Sequence, residues 1–196
     1  MALGRPRTFD VDEALDLALQ VFWRKGYEGS SISDLTEAMG ISAPSLYAAF
    51  GNKEKLFRKA LDRYLEGRIT FWREALEAPT SRKMVEILLR GTADFLTDKC
   101  NPGGCMLVKG AFSCGDEAET LQRELISRRA ADEVAIRERL RRAKKEGDLS
   151  ADANPTDLAR YIAMVQEGMS VQAMGGASRK DLHRVVDLVL RAWPGK

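Results

Sequence analysis

Apolar residues recur at helical spacing along most of the chain, and no alternating stretch longer than a few residues predicts a strand. Asp10 with Glu13 reads as a capping box that opens a first helix running to about Lys25. Ala14, Leu15, Ala18 and Phe22 share one face of it, and Gly26 closes it. Ser31 with Asp34 opens a short second helix that stops at Gly40. Ser42 caps a third, with Pro44 in its first turn, and Gly51-Asn52 breaks the chain again. A fourth helix follows from Lys53 to about Ala78, before Pro79.

The rest predicts a second helical region. Residues 81–99 are amphipathic, 100–104 form a Pro-Gly-Gly turn, and 105–113 make a short helix. A long charged helix is expected over 116–146, another from Asn154-Pro155 to Met174, and a last one from 179 to 193. No internal repeat or low-complexity segment interrupts this order. The expected fold is all-α: a three-helix head at 1–52 and a helical remainder at 53–196, joined by a linking helix at 53–78.

Composition narrows the classes. With 196 residues, 44% of them hydrophobic, the chain can bury a sizeable core. No apolar run approaches the roughly 18 to 20 residues of a membrane span, and the start of the chain lacks a signal-peptide stretch. The expectation is a cytoplasmic protein with no membrane partner. Three cysteines, an odd number, argue against a disulfide framework. Net charge is +2, and residues 1–59 balance eight basic against eight acidic groups, so bulk charge does not argue for nucleic acid. The positions of individual cations matter more, with Arg5 and Arg7 on the N-terminal arm and Lys53, Lys55, Arg58 and Lys59 in one stretch.

Two short helices joined by Gly40-Ile41-Ser42 have the proportions of a helix-turn-helix. Leu35, Met39, Ile41, Leu46 and Phe50 can form a small core with Phe22. The third helix then turns Ala43, Ser45, Ala48 and Ala49 outward, a face slim enough to enter a major groove. Tyr47 and Lys53 flank it with groups that bind phosphates.

The run from Ser30 to Leu56, SSISDLTEAMGISAPSLYAAFGNKEKL, together with Phe22 and Gly26-Tyr27, resembles the DNA-binding signature of the TetR family. That resemblance implies a homodimeric repressor of a palindromic double-stranded DNA operator, with a variable C-terminal domain that binds an inducer. It assigns the DNA-facing roles to Ser42, Ala43, Pro44, Ser45, Tyr47, Ala48, Ala49 and Lys53. Ala49 stands where members often carry His or Tyr, and Thr36 where Ala is usual. Ala43 and Ala48 can touch thymine methyls but not hydrogen-bond bases. Gly4-Arg-Pro-Arg7 resembles a minor-groove hook; a solvated start fits it equally.

For the second half, two stripes stand out. Leu158, Tyr161, Ile162, Val165 and Met169 form one, and Leu182, Val185, Val186, Val189 and Trp193 the other. They are expected to pair with their copies as a four-helix interface, part of each serving the chain's own core. The charged stretch 123–147, nine basic against five acidic residues, is read as a solvated face. A pocket for a small apolar or electrophilic inducer is expected behind the linking helix, its candidates being Phe71, Trp72, Phe95, Met106, Phe112, Met164 and Met169.

Cys100, Cys105 and Cys114 leave several readings open. Gly-Gly-Cys followed by a second Cys nine residues on resembles TetR-family members in which cysteine chemistry is the signal. Three thiols also suit a soft metal, and small buried hydrophobes are the plain alternative. An enzyme with Cys105 as nucleophile would need a base, and His183, the only histidine, sits far along the chain at what reads as an exposed position. An adaptor that kept the helix-turn-helix but lost DNA binding is a further alternative, against which Arg5, Tyr47 and Lys53 count. No cofactor is implied.

Overall fold

The computed structural model describes residues 9–112 and 119–195. Arg5, Arg7 and Cys114 lie outside the described residues, as does the side chain of Phe112. The helices among them are α1 (Val11–Lys25), α2 (Ile32–Met39), α3 (Ala43–Phe50), α4 (Lys53–Glu77), α5 (Ser81–Leu96), α6 (Met106–Phe112), α7 (Glu119–Lys145), α8 (Pro155–Met174) and α9 (Arg179–Arg191). They contain no strand; one isolated bridge pairs Leu149 with Gly195. The fold is all-α.

Local chemistry sets the helix starts. Asp10, Ser31, Ser42, Asn52, Thr80, Asn154 and Ser178 each accept a backbone N–H at the first turn of the helix they precede. Ser31 and Asp34 reciprocate as a full capping box, and Asp34 also binds the Lys25 ammonium at 2.7 Å. That ammonium, with the Ser31 cap, pulls the Asp34 carboxyl down to about 2. Its support for the α1–α2 junction is therefore complete above the ordinary carboxylate range and is lost as pH falls toward 2. α5 ends at Leu96, three residues before the expected 99. Thr97 turns its hydroxyl onto the Ala93 carbonyl, and Asp98 accepts the Cys100 N–H at 2.9 Å, a local bond that competes with another helical turn.

Two apolar cores form. The first gathers Phe22, Leu35, Leu46 and Phe50 of the head with Leu56, Phe57, Leu61 and Tyr64 of α4. It also takes Leu107 of α6 and Leu121 and Leu125 of α7. Phe22 meets Phe57 edge to face at 5.1 Å, and Tyr27 meets Phe57 at 5.3 Å. The second packs α5 (Met84, Leu88, Leu89) against Ile136 and Leu140 of α7, Ile162 and Met169 of α8, and Leu182, Val186 and Val189 of α9.

Three sequence readings change here. Ile162, Met169, Leu182, Val186, Val189 and Trp193, read as interface residues, are buried in the chain's own core. The large apolar side chains left outward on these helices are Tyr161, Met164, Val171 and Met174 of α8 and Val185 and Leu188 of α9. Packing within the chain's own core claims most of each stripe, so the outward face lies about one helical position to the side, with Tyr161 and Val185 at its edge. The stretch 123–147 is not solvated all round: Arg139 is buried, donating to the Ala78 carbonyl at 2.6 Å, and Asp132 turns inward to Arg68. His183 is half-buried between α5 and α9, where Arg90 donates to its Nδ1 at 3.1 Å and its Nε2 faces Asp94 at 2.6 Å.

Candidate functional site

The recognition surface is built by two tight turns. Gly40 closes α2 with φ +63°, a left-handed conformation that lets Ile41 and Ser42 start α3 within two residues. Ser42 then accepts the Ser45 N–H at 3.3 Å, and their hydroxyls lie 2.9 Å apart. Leu46 and Phe50 face the core, which leaves Ser42, Pro44, Tyr47 and Ala48 exposed and Ala43 and Ser45 half-buried. Ala49, read from the sequence as outward, packs partly against the head core. Tyr47 is 48% exposed, with its ring clear of the core.

Lys53 begins α4 behind the Asn52 cap. Its ammonium lies 4.4 Å from the centre of the Tyr27 ring, a contact that holds the charge against the turn between α1 and α2. Partial burial lowers its pKa, against the pull of Glu28 and Asp34. Charge pairs fix α4 to its neighbours: Arg63 grips Asp16 of α1 in the head in two bonds of 2.7 and 3.0 Å, and Arg58 binds Glu124 of α7 at 2.8 Å.

A cavity of about 60 Å³ lies between α4, α5, α6, α7 and α8. Phe71, Trp72 and Phe95 line it, as do Leu96, Leu107 and Ile136. Other candidates lie elsewhere: Met106 and Met169 are buried in the two cores, and Met164 is 65% exposed on α8, outside the lining.

Sequence reasoning missed the polar part of the wall. Arg68 binds Asp132 at 2.7 Å, Gln166 donates to the Thr92 hydroxyl at 2.9 Å, and Arg129 pairs with Glu167. Burial raises the Asp132 carboxyl, with Arg68 opposing. Tyr64, Arg68, Phe71 and Trp72 do fall on one face of α4 at helical spacing, a signal available in the sequence.

Cys105, considered from sequence only as a thiol, also belongs to this wall. The Tyr64 hydroxyl donates to its sulfur at 3.2 Å. Burial first, then the neighbouring thiol, push the Tyr64 phenol well above its ordinary range, so it remains a donor toward that sulfur. Lys109, four residues on, donates to the Arg24 carbonyl at the end of α1. Cys100 is exposed. Among the described residues no group of three or more His, Cys, Asp or Glu side chains could hold a metal ion, and no helix is long and apolar enough to cross a membrane.

A capped helix with a slim outward face, set across a left-handed glycine turn and backed by a bundle that encloses a cavity, defines a helix-turn-helix transcription regulator. The profile of bacterial regulatory proteins of the tetR family matches residues 14–60, and that of the tetracyclin repressor-like C-terminal domain matches residues 82–189. The chain is 37% identical over 195 residues to the HTH-type transcriptional repressor ComR of Escherichia coli (strain K12), spanning 97% of this chain and 92% of ComR. It is 32% identical over 190 residues to the HTH-type regulator YezE of Bacillus subtilis (strain 168), spanning 96% of this chain and 98% of YezE. Among solved structures, a cysteine mutant of the TetR family regulator CifR, complexed with 26-base-pair operator DNA, superposes with a TM-score of 0.92 at 46% identity, covering 97% of this chain and 100% of CifR. The chain belongs to the TetR family.

Proposed function

We propose that this protein is a repressor that binds a near-palindromic operator as a homodimer and releases it when a small, uncharged, thiol-reactive inducer enters the cavity at Cys105. Residues 1–52 act as the DNA-binding unit and 53–196 as the sensing and dimerising unit. The observation that carries the regulatory half is the placement of the Cys105 sulfur in an aromatic-walled cavity, under the Tyr64 hydroxyl. The phenol donates its hydrogen bond to that sulfur and holds it at the cavity wall, where an entering electrophile meets it. The cavity has space for the equivalent of roughly four to six water molecules, which suits a compact ligand. Its carboxylates already face arginines of the same protein, so an ionic ligand would upset paired charges.

For the DNA half, support comes from the exposed face of α3 and from relatives named as repressors. Tyr47 and Lys53 stand where phosphate contacts set register, and the short side chains between them meet base edges. Homodimerisation is supported by the outward residues of α8 and α9. Tyr161, Met164 and Val171 lie on one face together with Gly168, where even an added Cβ would meet nothing in the chain. A partner helix can approach closely there.

The DNA reading is tested with duplexes selected from a random pool. Lys53→Ala should weaken all bound sequences alike and lower the salt slope by about one unit. An unchanged affinity would remove Lys53 from the interface. The inducer reading is tested with N-ethylmaleimide, to which the Cys105 sulfur would add across the double bond, the adjacent carbon taking a proton. Operator affinity of the native chain should fall about tenfold or more, within the range of allosteric couplings. Cys105→Ser should hold its affinity although the exposed Cys100 still reacts. Labelling of Cys105 with no loss of affinity would end the sensing proposal.

A further inference from the structure

Gly104 and Cys105 share one peptide unit, and its two polar atoms are held by different parts of the molecule. The Gly104 carbonyl accepts the indole N–H of Trp23, on α1, at 2.8 Å. The Cys105 N–H donates to the Ser170 hydroxyl, on α8, at 2.7 Å. Trp23 and Ser170 are both buried, so water cannot replace either bond at low cost. Gly104 has φ +86°, and a Cβ there would overlap the Met174 side chain, so the peptide is pressed against the end of α8. A peptide unit is planar and rigid, with its C=O and N–H on opposite edges. A rotation that disturbs one of these bonds therefore disturbs the other.

The same unit touches the cavity. The Cys105 side chain meets Tyr64 at its wall. Trp23 lies edge-on to Tyr64 at 4.7 Å and stacked on Phe95 at 5.6 Å, and both rings line the cavity. One residue beyond Trp23, the Arg24 carbonyl takes the Lys109 ammonium, so α6 adds a second hold on this end of α1 to that of Gly104. The end of α1 leads directly into the turn before α2.

We propose that the Gly104–Cys105 peptide is the joint through which the cavity and the DNA-binding head set each other's position, with Trp23 and Ser170 as its positioning residues. The proposal names the route of regulation and rests on the reading of the cavity as the inducer site. A shift of Cys105, by an adduct on its sulfur or by displacement of Tyr64, turns the peptide, pulls on the Trp23 indole and reorients α1 with the helices packed on it.

Native-state hydrogen exchange on the full chain, free of DNA and electrophile, tests the joint. Ser170→Ala removes the acceptor in α8, outside the head. The amides of residues 22–30 should nonetheless exchange about fivefold faster, the size of one lost hydrogen bond, with the melting temperature little changed. Trp23→Phe, which keeps a ring but loses the N–H donor, should do the same. The double variant should be no worse than the stronger single, because both act through one peptide. Changes from Ser170→Ala confined to α6 and α8, or effects that add in the double variant, would overturn the proposal. Neither DNA binding nor thiol chemistry enters this experiment, so failure of the sensing reading would show in the maleimide test and failure of the joint here.

Discussion

Leu188→Glu is expected to give a folded chain that sediments as a monomer, whereas Val186→Glu, two residues earlier on the same helix, is expected to leave the C-terminal half unfolded. Leu188 is 58% exposed and Val186 fully buried in the core of α5, α7, α8 and α9. A glutamate at 188 is solvated in the monomer. At a two-fold interface it would be stripped of water close to its own copy, so it opposes association and little else. A glutamate at 186 has no polar partner among the apolar residues of that core, and an unpaired buried carboxylate costs several kcal/mol, a large share of a domain's total stability of about 5–15 kcal/mol. Sedimentation equilibrium and circular dichroism melts separate the two outcomes. A Leu188→Glu chain that remains dimeric at micromolar concentration would move the interface away from the outward faces of α8 and α9.

Phe22→Ala should cost roughly 3–5 kcal/mol and abolish operator binding while leaving the second core folded. Phe22 sits at the centre of the head core, edge-on to Phe57 of α4 and stacked with Tyr27 at 6.5 Å. Its removal opens a cavity where α1 rests on α4, and α3 takes its orientation from those two helices. The core around Met84, Leu88 and Ile162 shares no buried residue with the head core. Calorimetry should therefore show an early transition moved down by many degrees, followed by one at its usual temperature. A single transition shifted as a whole would mean that the two cores melt as one cooperative unit.

These expectations draw on what the chain declares locally and on what only the packed structure supplies. Helix starts are legible because Ser31, Ser42, Asn52 and Ser178 act on amides only three residues away. The turn at Gly40 was legible for the same reason. Failures arose where the deciding partner is distant in sequence. Asp132 and Arg139 sit in a run of charges, and nothing nearby indicates that Arg68 or the Ala78 carbonyl draws them inward. Periodicity found the apolar sides of α8 and α9 but could not divide each between the chain's own core and a partner: Val185 and Val186 are neighbours with opposite fates. The cavity showed as aromatic residues on α4 and α5, while its methionines were misassigned because a flexible apolar side chain fits a core or a surface equally well. Cys105 stands out as a thiol, yet its contact with Tyr64 joins residues 41 positions apart.

Leu107 and Tyr64 each serve two rooms, lining the cavity on one side and filling the head core on the other. A change at either that reshapes the cavity for another ligand also reshapes the floor under the DNA-reading helices. Under the proposed function, inducer preference and resting grip on DNA are not separate traits. A lineage adopting a new signal through α6 or the middle of α4 would drift in basal expression of its target genes at the same step, and would have to restore it through compensating changes in the head.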